Sequence, residues 1–180
     1  MGIERLMPQP QAMSSNGHSI DPGAEIGHVH LRVSDLNRAV SFYREVLGFN
    51  EQGRIGDEAA FMAAGDYHHH VALNTWMSAG GSPPARGSTG LHHFAIRYPT
   101  RTSLATAAQR VAAHAGAPLE AYDHGACEAV YLEDPDGNGI ELYWDRPREA
   151  WPRMADGRLA LIEAPLDVEA LLAEAMENES

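Results

Sequence analysis

Long apolar runs are missing from this 180-residue chain, and none approaches the ~20 residues that a membrane-spanning helix needs. Residues 1–23 hold no apolar segment behind a basic one, so no secretory leader is predicted there. Cysteine is nearly absent. Cys127 alone leaves no internal disulfide and no cysteine-rich zinc site, which predicts a reducing, cytoplasmic setting. Basic residues are few: 13 Lys and Arg stand against 25 Asp and Glu, a formal net charge of −12. Such a balance argues against nucleic acid or an anionic membrane as partner. Histidine, by contrast, is plentiful, with ten residues, most of them in tight groups.

Residues 1–24 are polar and without periodicity, and read as a flexible arm. From Glu25 the pattern changes. Val29, Leu31 and Val33 alternate with His28, His30 and Arg32, which predicts a strand with one apolar face. Ser34 or Asp35 can cap a helix whose Leu36, Ala39, Val40, Tyr43, Val46 and Leu47 fall at helical spacing, and Gly48 supplies its stop. Strands follow near Ala59–Ala63 and His68–Trp76. After a Gly-, Ser- and Pro-rich linker over 78–90, the opening pattern returns. His28 and His93, and Arg32 and Arg97, each lie 65 positions apart. A second helix runs from Leu104 to Ala115 and stops at Gly116. Strands near Leu119–Tyr122, Cys127–Glu133 and Ile140–Asp145 complete the second unit.

This is an internal repeat of strand, helix and further strands. Module A covers 25–77 and module B 91–147, within one domain over 25–153. A tail over 154–180 carries a predicted helix at about 167–177, capped by Asp167.

His28 and His93 occupy equivalent places on the polar faces of the two opening strands. Glu141 sits between Ile140 and Leu142, so it faces opposite to both. If the two modules pair around a shared cup, these three side chains converge. Two imidazoles and one carboxylate leave coordination positions open, which suits non-heme Fe(II); Mn(II) or Zn(II) would accept the same donors. His92 could be the inward residue instead of His93, but the repeat spacing favours His93. His30 shares a face with His28 and is a lesser candidate ligand. The run His68-His69-His70 precedes Val71-Ala72-Leu73 and offers a proton carrier near neutral pH. His124 and Tyr131 add a further acid and a hydroxyl.

Ile26–Phe49 resembles the opening module of the vicinal oxygen chelate superfamily, which includes glyoxalases, bleomycin-binding proteins and dioxygenases. Tyr131-Leu132-Glu133-Asp134-Pro135-Asp136-Gly137-Asn138-Gly139-Ile140-Glu141-Leu142-Tyr143 resembles its closing module. Tyr67–Trp76, Asp123-His124-Gly125 and Trp144-Asp145-Arg146-Pro147 are similar more narrowly to catechol 2,3-dioxygenase-like extradiol enzymes.

The resemblance implies an α+β fold, in which two paired βαβββ modules form a cup-shaped, open eight-stranded mixed β-barrel. It implies Fe(II), or Mn(II), held by His28, His93 and Glu141. It also implies an acid/base histidine at His69, although the alternation of Val71 and Leu73 points to His70. Tyr131 and His124 take supporting roles. The expected activity is cleavage of a catechol-type ring with O2, on a small aromatic diol substrate. A chain with only two modules suggests a homodimer that closes the pocket. A glyoxalase-type isomerase or lyase, and a metal-free binding or resistance protein, are the rivals on the same scaffold.

Overall fold

The computed structural model describes residues 20–85, 87–116 and 118–177. The arm expected over 1–24 lies outside them as far as residue 19, and so do residues 178–180 of the tail.

Order starts at β1 (Val29–Arg32), where Leu31 and the following Val33 turn inward while His30 and Arg32 stay exposed. Asp35 then caps α1 (Leu36–Glu45), its carboxylate accepting the Arg38 N–H at 3.0 Å. The buried face of that helix carries Leu36, Ala39, Val40, Phe42 and Tyr43. Strands β2 (Asn50–Ile55), β3 (Ala59–Ala63) and β4 (Val71–Asn74) complete a first sheet of order β1-β4-β3-β2. Sequence reasoning missed β2 for a physical reason. Its residues Asn-Glu-Gln-Gly-Arg-Ile lie at a sheet edge with little buried, so no apolar alternation marks it.

The second unit repeats the plan with β5 (Phe94–Arg97), α2 (Arg101–Ala115), β6 (Glu120–Asp123), β7 (Cys127–Glu133) and β8 (Gly139–Asp145). Thr100 and Ser103 form a reciprocal capping box at the start of α2. In each sheet the opening strand runs parallel to the last strand of its own unit, β1 to β4 and β5 to β8. The tail adds an unforeseen short strand, β9 (Ala164–Pro165), beside β6, before α3 (Val168–Glu177) packs on α2. Leu171 and Ala175 of α3 are buried, and Glu174 bonds to Arg101 and Thr102.

The fold is mixed α+β, with no closed eight-stranded sheet among the described residues. Among the described residues the strands lie in two separate mixed sheets, of orders β1-β4-β3-β2 and β5-β8-β7-β6-β9. Among the described residues β1 and β5 each pair on one side only, and side-chain bonds clasp the two units together. Ser34 and Arg38, at the far end of β1 and the start of α1, bond to Asp136 in the turn before β8. Tyr43 of α1 donates to Asp134 at 3.1 Å, and Arg110 of α2 donates to the carbonyls of Val46 and Leu47. One hydrophobic cluster runs through both units, from Tyr43 and Val40 to Leu104, Ile140 and Leu142. No helix among the described residues is long and apolar enough to cross a membrane.

Candidate active site

The parallel pairing of β5 with β8 sets Ala95 opposite Glu141, and β7 sets Tyr131 opposite Glu141 on its other side. Alternation along these strands turns His93, Glu141 and Tyr131 to the same face. The His93 Nε2 lies 3.1 Å from Glu141 Oε2, and the Tyr131 hydroxyl donates to Glu141 Oε1 at 3.0 Å. His124 Nε2 stands 2.9 Å from the same hydroxyl, and its Nδ1 is 3.2 Å from the Ile162 carbonyl oxygen. His93, Glu141, Tyr131 and His124 thus make one continuous polar line on the second sheet.

Counting protons along this line is informative. A carbonyl only accepts, so the His124 Nδ1 must carry a hydrogen for its contact with Ile162. Tyr131 has one hydrogen for two bonds. That hydrogen is directed at Glu141, which leaves the hydroxyl oxygen facing His124 Nε2. Burial first, and then the Glu141 charge, hold the Tyr131 phenol well above its ordinary pKa, so the hydroxyl keeps its own proton.

His93 is steered from behind. Its Nδ1 is 2.8 Å from the Nδ1 of exposed His92, so one ring donates to the other. Gly139 permits that placement: a Cβ there would meet the His92 carbonyl oxygen at 2.3 Å and the His93 Cβ at 3.1 Å. Nothing in the sequence marked this glycine as a site residue, since close backbone approach is legible only once β5 lies beside β8. Gly139→Ala is expected to push the His92–His93 segment off β8, at a cost of about 1–3 kcal/mol. Metal titration should show affinity at least roughly tenfold weaker; unchanged affinity would mean that the close approach does not position His93.

The first sheet carries the other half of the expected set. His28 is exposed, and its ring lies 4.6 Å from that of His69. His69 also packs edge-on against Phe61 and has its Nδ1 2.8 Å from that of His68. Burial, followed by the nearby His28, holds the His69 imidazole below the ordinary histidine pKa. His70 turns elsewhere: its Nδ1 accepts the Ala64 N–H at 3.3 Å and its ring lies against Tyr67. His30 contacts the Asn74 amide at 2.9 Å and Trp76 edge-on.

Two of the three expected donors suit a cation. Bonds of about 2.1 Å meeting at a right angle put their donor atoms about 3.0 Å apart, close to the 3.1 Å between His93 and Glu141. Among the described residues no group of three His, Cys, Asp or Glu is placed to hold one ion.

Cys127 opens β7 on the strand that carries Tyr131. Burial first, and then the Glu141 carboxylate, push its thiol up to about 11. Since the thiolate is the reactive form, alkylation by iodoacetamide at pH 8 should run on the order of 10²-fold slower than that of a free thiol. A rate matching free cysteine would contradict the burial of this group beside the carboxylate.

Comparison with known proteins gives these observations a context. Residues 25–142 match the family model described as the Glyoxalase/Bleomycin resistance protein/Dioxygenase superfamily. A protein of Bacillus subtilis (strain 168) named Catechol-2,3-dioxygenase is 38% identical over 157 residues, or 87% of this chain and 54% of the relative. The chain therefore spans about half the length of that relative. A Vibrio parahaemolyticus protein named Probable lactoylglutathione lyase is 30% identical, covering 68% of this chain and 92% of its own length. Among solved structures, a glyoxylase/bleomycin resistance protein/dioxygenase domain from Frankia sp. EAN1pec superposes with a TM-score of 0.56 at 25% identity. That match covers 68% of this chain and 98% of the Frankia chain.

Proposed function

The chain belongs to the glyoxalase/bleomycin resistance protein/dioxygenase superfamily, and from that premise we propose that it is a metal-dependent extradiol dioxygenase, opening a catechol-type ring with O2. The observation that carries this reading is the hydrogen-bonded line His93–Glu141–Tyr131–His124. It joins an imidazole and a carboxylate that could hold a metal to a phenol and a second imidazole. The 38% identical relative named Catechol-2,3-dioxygenase supports the same reading.

His93 and Glu141, with a His28 imidazole as third donor, would hold Fe(II) or Mn(II). When bound, the divalent ion supplies positive charge that favours an ionised catechol hydroxyl and offers open positions for diol and dioxygen. The rest falls to the protein. His69, whose pKa is lowered by burial and then by the neighbouring imidazoles, accepts the remaining hydroxyl proton and later returns it. Tyr131 presents a phenol that stays protonated, and orients the substrate oxygens by hydrogen bonding. His124, hydrogen-bonded to the Tyr131 hydroxyl, can pass a proton through it.

A second reading, a lyase or isomerase, is favoured by the Vibrio relative. Against it, the segment from Tyr67 to Thr75 offers histidines and Asn74 but no carboxylate as a fourth ligand. An oxygen electrode separates the two. Protein loaded anaerobically with Fe(II) should consume one O2 per catechol and release a yellow ring-fission product, and Zn(II)-loaded protein should not. Conversion of lactoylglutathione without oxygen uptake would establish the lyase instead.

A further inference from the structure

The face of the second sheet that carries Glu141 continues into two side chains whose donors are unspent, Arg97 and Tyr143. We infer that they hold a carboxylate on the far side of the diol's ring, and so select a catechol with an anionic substituent. The inference rests on the dioxygenase reading above.

Strand register fixes the layout. On β5 and β8 the row Ala95–Glu141 is followed by Ile96–Leu142, which packs on the core, and then by Arg97–Tyr143. Alternation returns Arg97 and Tyr143 to the Glu141 face, about 7 Å further along the strands. Arg97 Nη1 lies 3.6 Å from Asp145, two residues beyond Tyr143, which agrees with that placement. His93 directly precedes β5, so sheet surface extends from the His93–Glu141 pair toward Arg97 and Tyr143. Between the two rows Ala95 is exposed and ends at its Cβ, which leaves room over the sheet for a flat ring. A diol chelated at the first row thus directs the opposite edge of its ring at the second.

The chemistry of the second row suits an anion. Among the described residues neither the Arg97 guanidinium nor the Tyr143 hydroxyl makes a hydrogen bond. The contact of Arg97 with Asp145 is too long for one, and 68% of the Arg97 side chain is exposed. Exposed ion pairs of this kind are worth little, so little is lost when the guanidinium turns to a ligand. Its planar fork takes a carboxylate through two parallel N–H bonds, which a neutral substituent cannot accept equally well. The Tyr143 phenol, directly opposite Arg97 in the register, adds one more donor. Asp145 is the competitor, an anion already beside the guanidinium but not bonded to it.

Two diols of similar size separate charge from shape: 3,4-dihydroxybenzoate and 4-methylcatechol. Binding is read by calorimetry on Zn(II)-loaded protein, and kcat and KM by oxygen uptake on Fe(II)-loaded protein. The wild type should bind the acid at least about tenfold more tightly than the methyl compound. Arg97→Met should lower the acid-to-methyl ratio of kcat/KM by about 10- to 100-fold, through KM rather than kcat. Arg97→Lys keeps the charge without the fork and should recover part of that loss. Tyr143→Phe should lower the ratio several-fold, whereas Asp145→Asn should raise it by removing the competing anion. A purely structural Arg97–Asp145 pair would instead move the ratio the same way in Arg97→Met and Asp145→Asn. An unchanged ratio in Arg97→Met, with both diols turned over, would overturn this inference and leave the dioxygenase reading standing. Turnover of neither diol by the Fe(II)-loaded wild type would overturn both.

Discussion

Glu141→Ala is expected to abolish metal retention and to lower ring-cleavage turnover by roughly 10³-fold or more, since metal assistance is worth several kcal/mol. The carboxylate is the one anionic donor of the set, and Tyr131 and His93 both bond to it. Removing it takes away the charge that balances a divalent ion as well as the acceptor that orders the phenol. Folding should be little affected, because the half-buried Glu141 lies on the opposite face of β8 from Ile140 and Leu142, which fill the core. Glu141→Gln separates charge from shape. It keeps an acceptor for the Tyr131 hydroxyl but should still lose most of the metal. Metal analysis and oxygen uptake on the same preparations check both variants. Retained iron in Glu141→Ala would remove Glu141 from the ligand set.

The second large effect concerns stability. Asp134→Ala is expected to destabilise the protein by about 3–5 kcal/mol, read from the denaturant midpoint. One carboxylate organises the whole turn before β8. Its Oδ1 accepts the N–H groups of Asp136 and Asn138, both at 2.9 Å, and its Oδ2 accepts the Asn138 amide at 2.8 Å and the Tyr43 hydroxyl at 3.1 Å. Tyr43 is fully buried, and burial followed by the Asp134 charge holds its pKa well above the ordinary tyrosine value. Without Asp134 that hydroxyl loses its acceptor in the core. Tyr43→Phe introduced into the Asp134→Ala background should therefore cost little further, or restore some stability. A loss below about 1 kcal/mol for Asp134→Ala would mean that the turn is held by its backbone bonds alone.

Both predictions depend on features of unequal visibility in the sequence. The opening strand and helix of each unit were legible because alternation, helical spacing, the Asp35 cap and the Gly48 and Gly116 stops all agree. His93 could be preferred to His92 because the 65-residue echo of His28 identifies it. The structure sets His93 against Glu141 and leaves His92 exposed behind it. His69 and His70 were harder, since the Val71/Leu73 alternation argues for His70 while motif spacing argues for His69. In the structure His69 meets His28 and His70 meets Tyr67. β2 and β9 left no trace, one polar on both faces and the other only two residues long.

How the two units meet was not readable at all. Alternation says which side of a strand is apolar, but not which edge joins which. Asp134 and Asp136 read as members of a turn, yet they fasten the units together through Tyr43, Ser34 and Arg38. That fastening joins α1 of the first unit to the turn that leads into β8 of the second. A periodic pattern carries no information about such a long-range bond, because its partners lie about a hundred residues apart.

X-ray absorption of the Fe(II)-loaded protein, prepared without oxygen, tests the central claim most directly. Two imidazole rings per iron, with oxygen donors filling the remaining shell and one ring lost in His28→Ala, is the expected outcome. Iron with a single imidazole in the wild type, or a spectrum unaltered by His28→Ala, would contradict it.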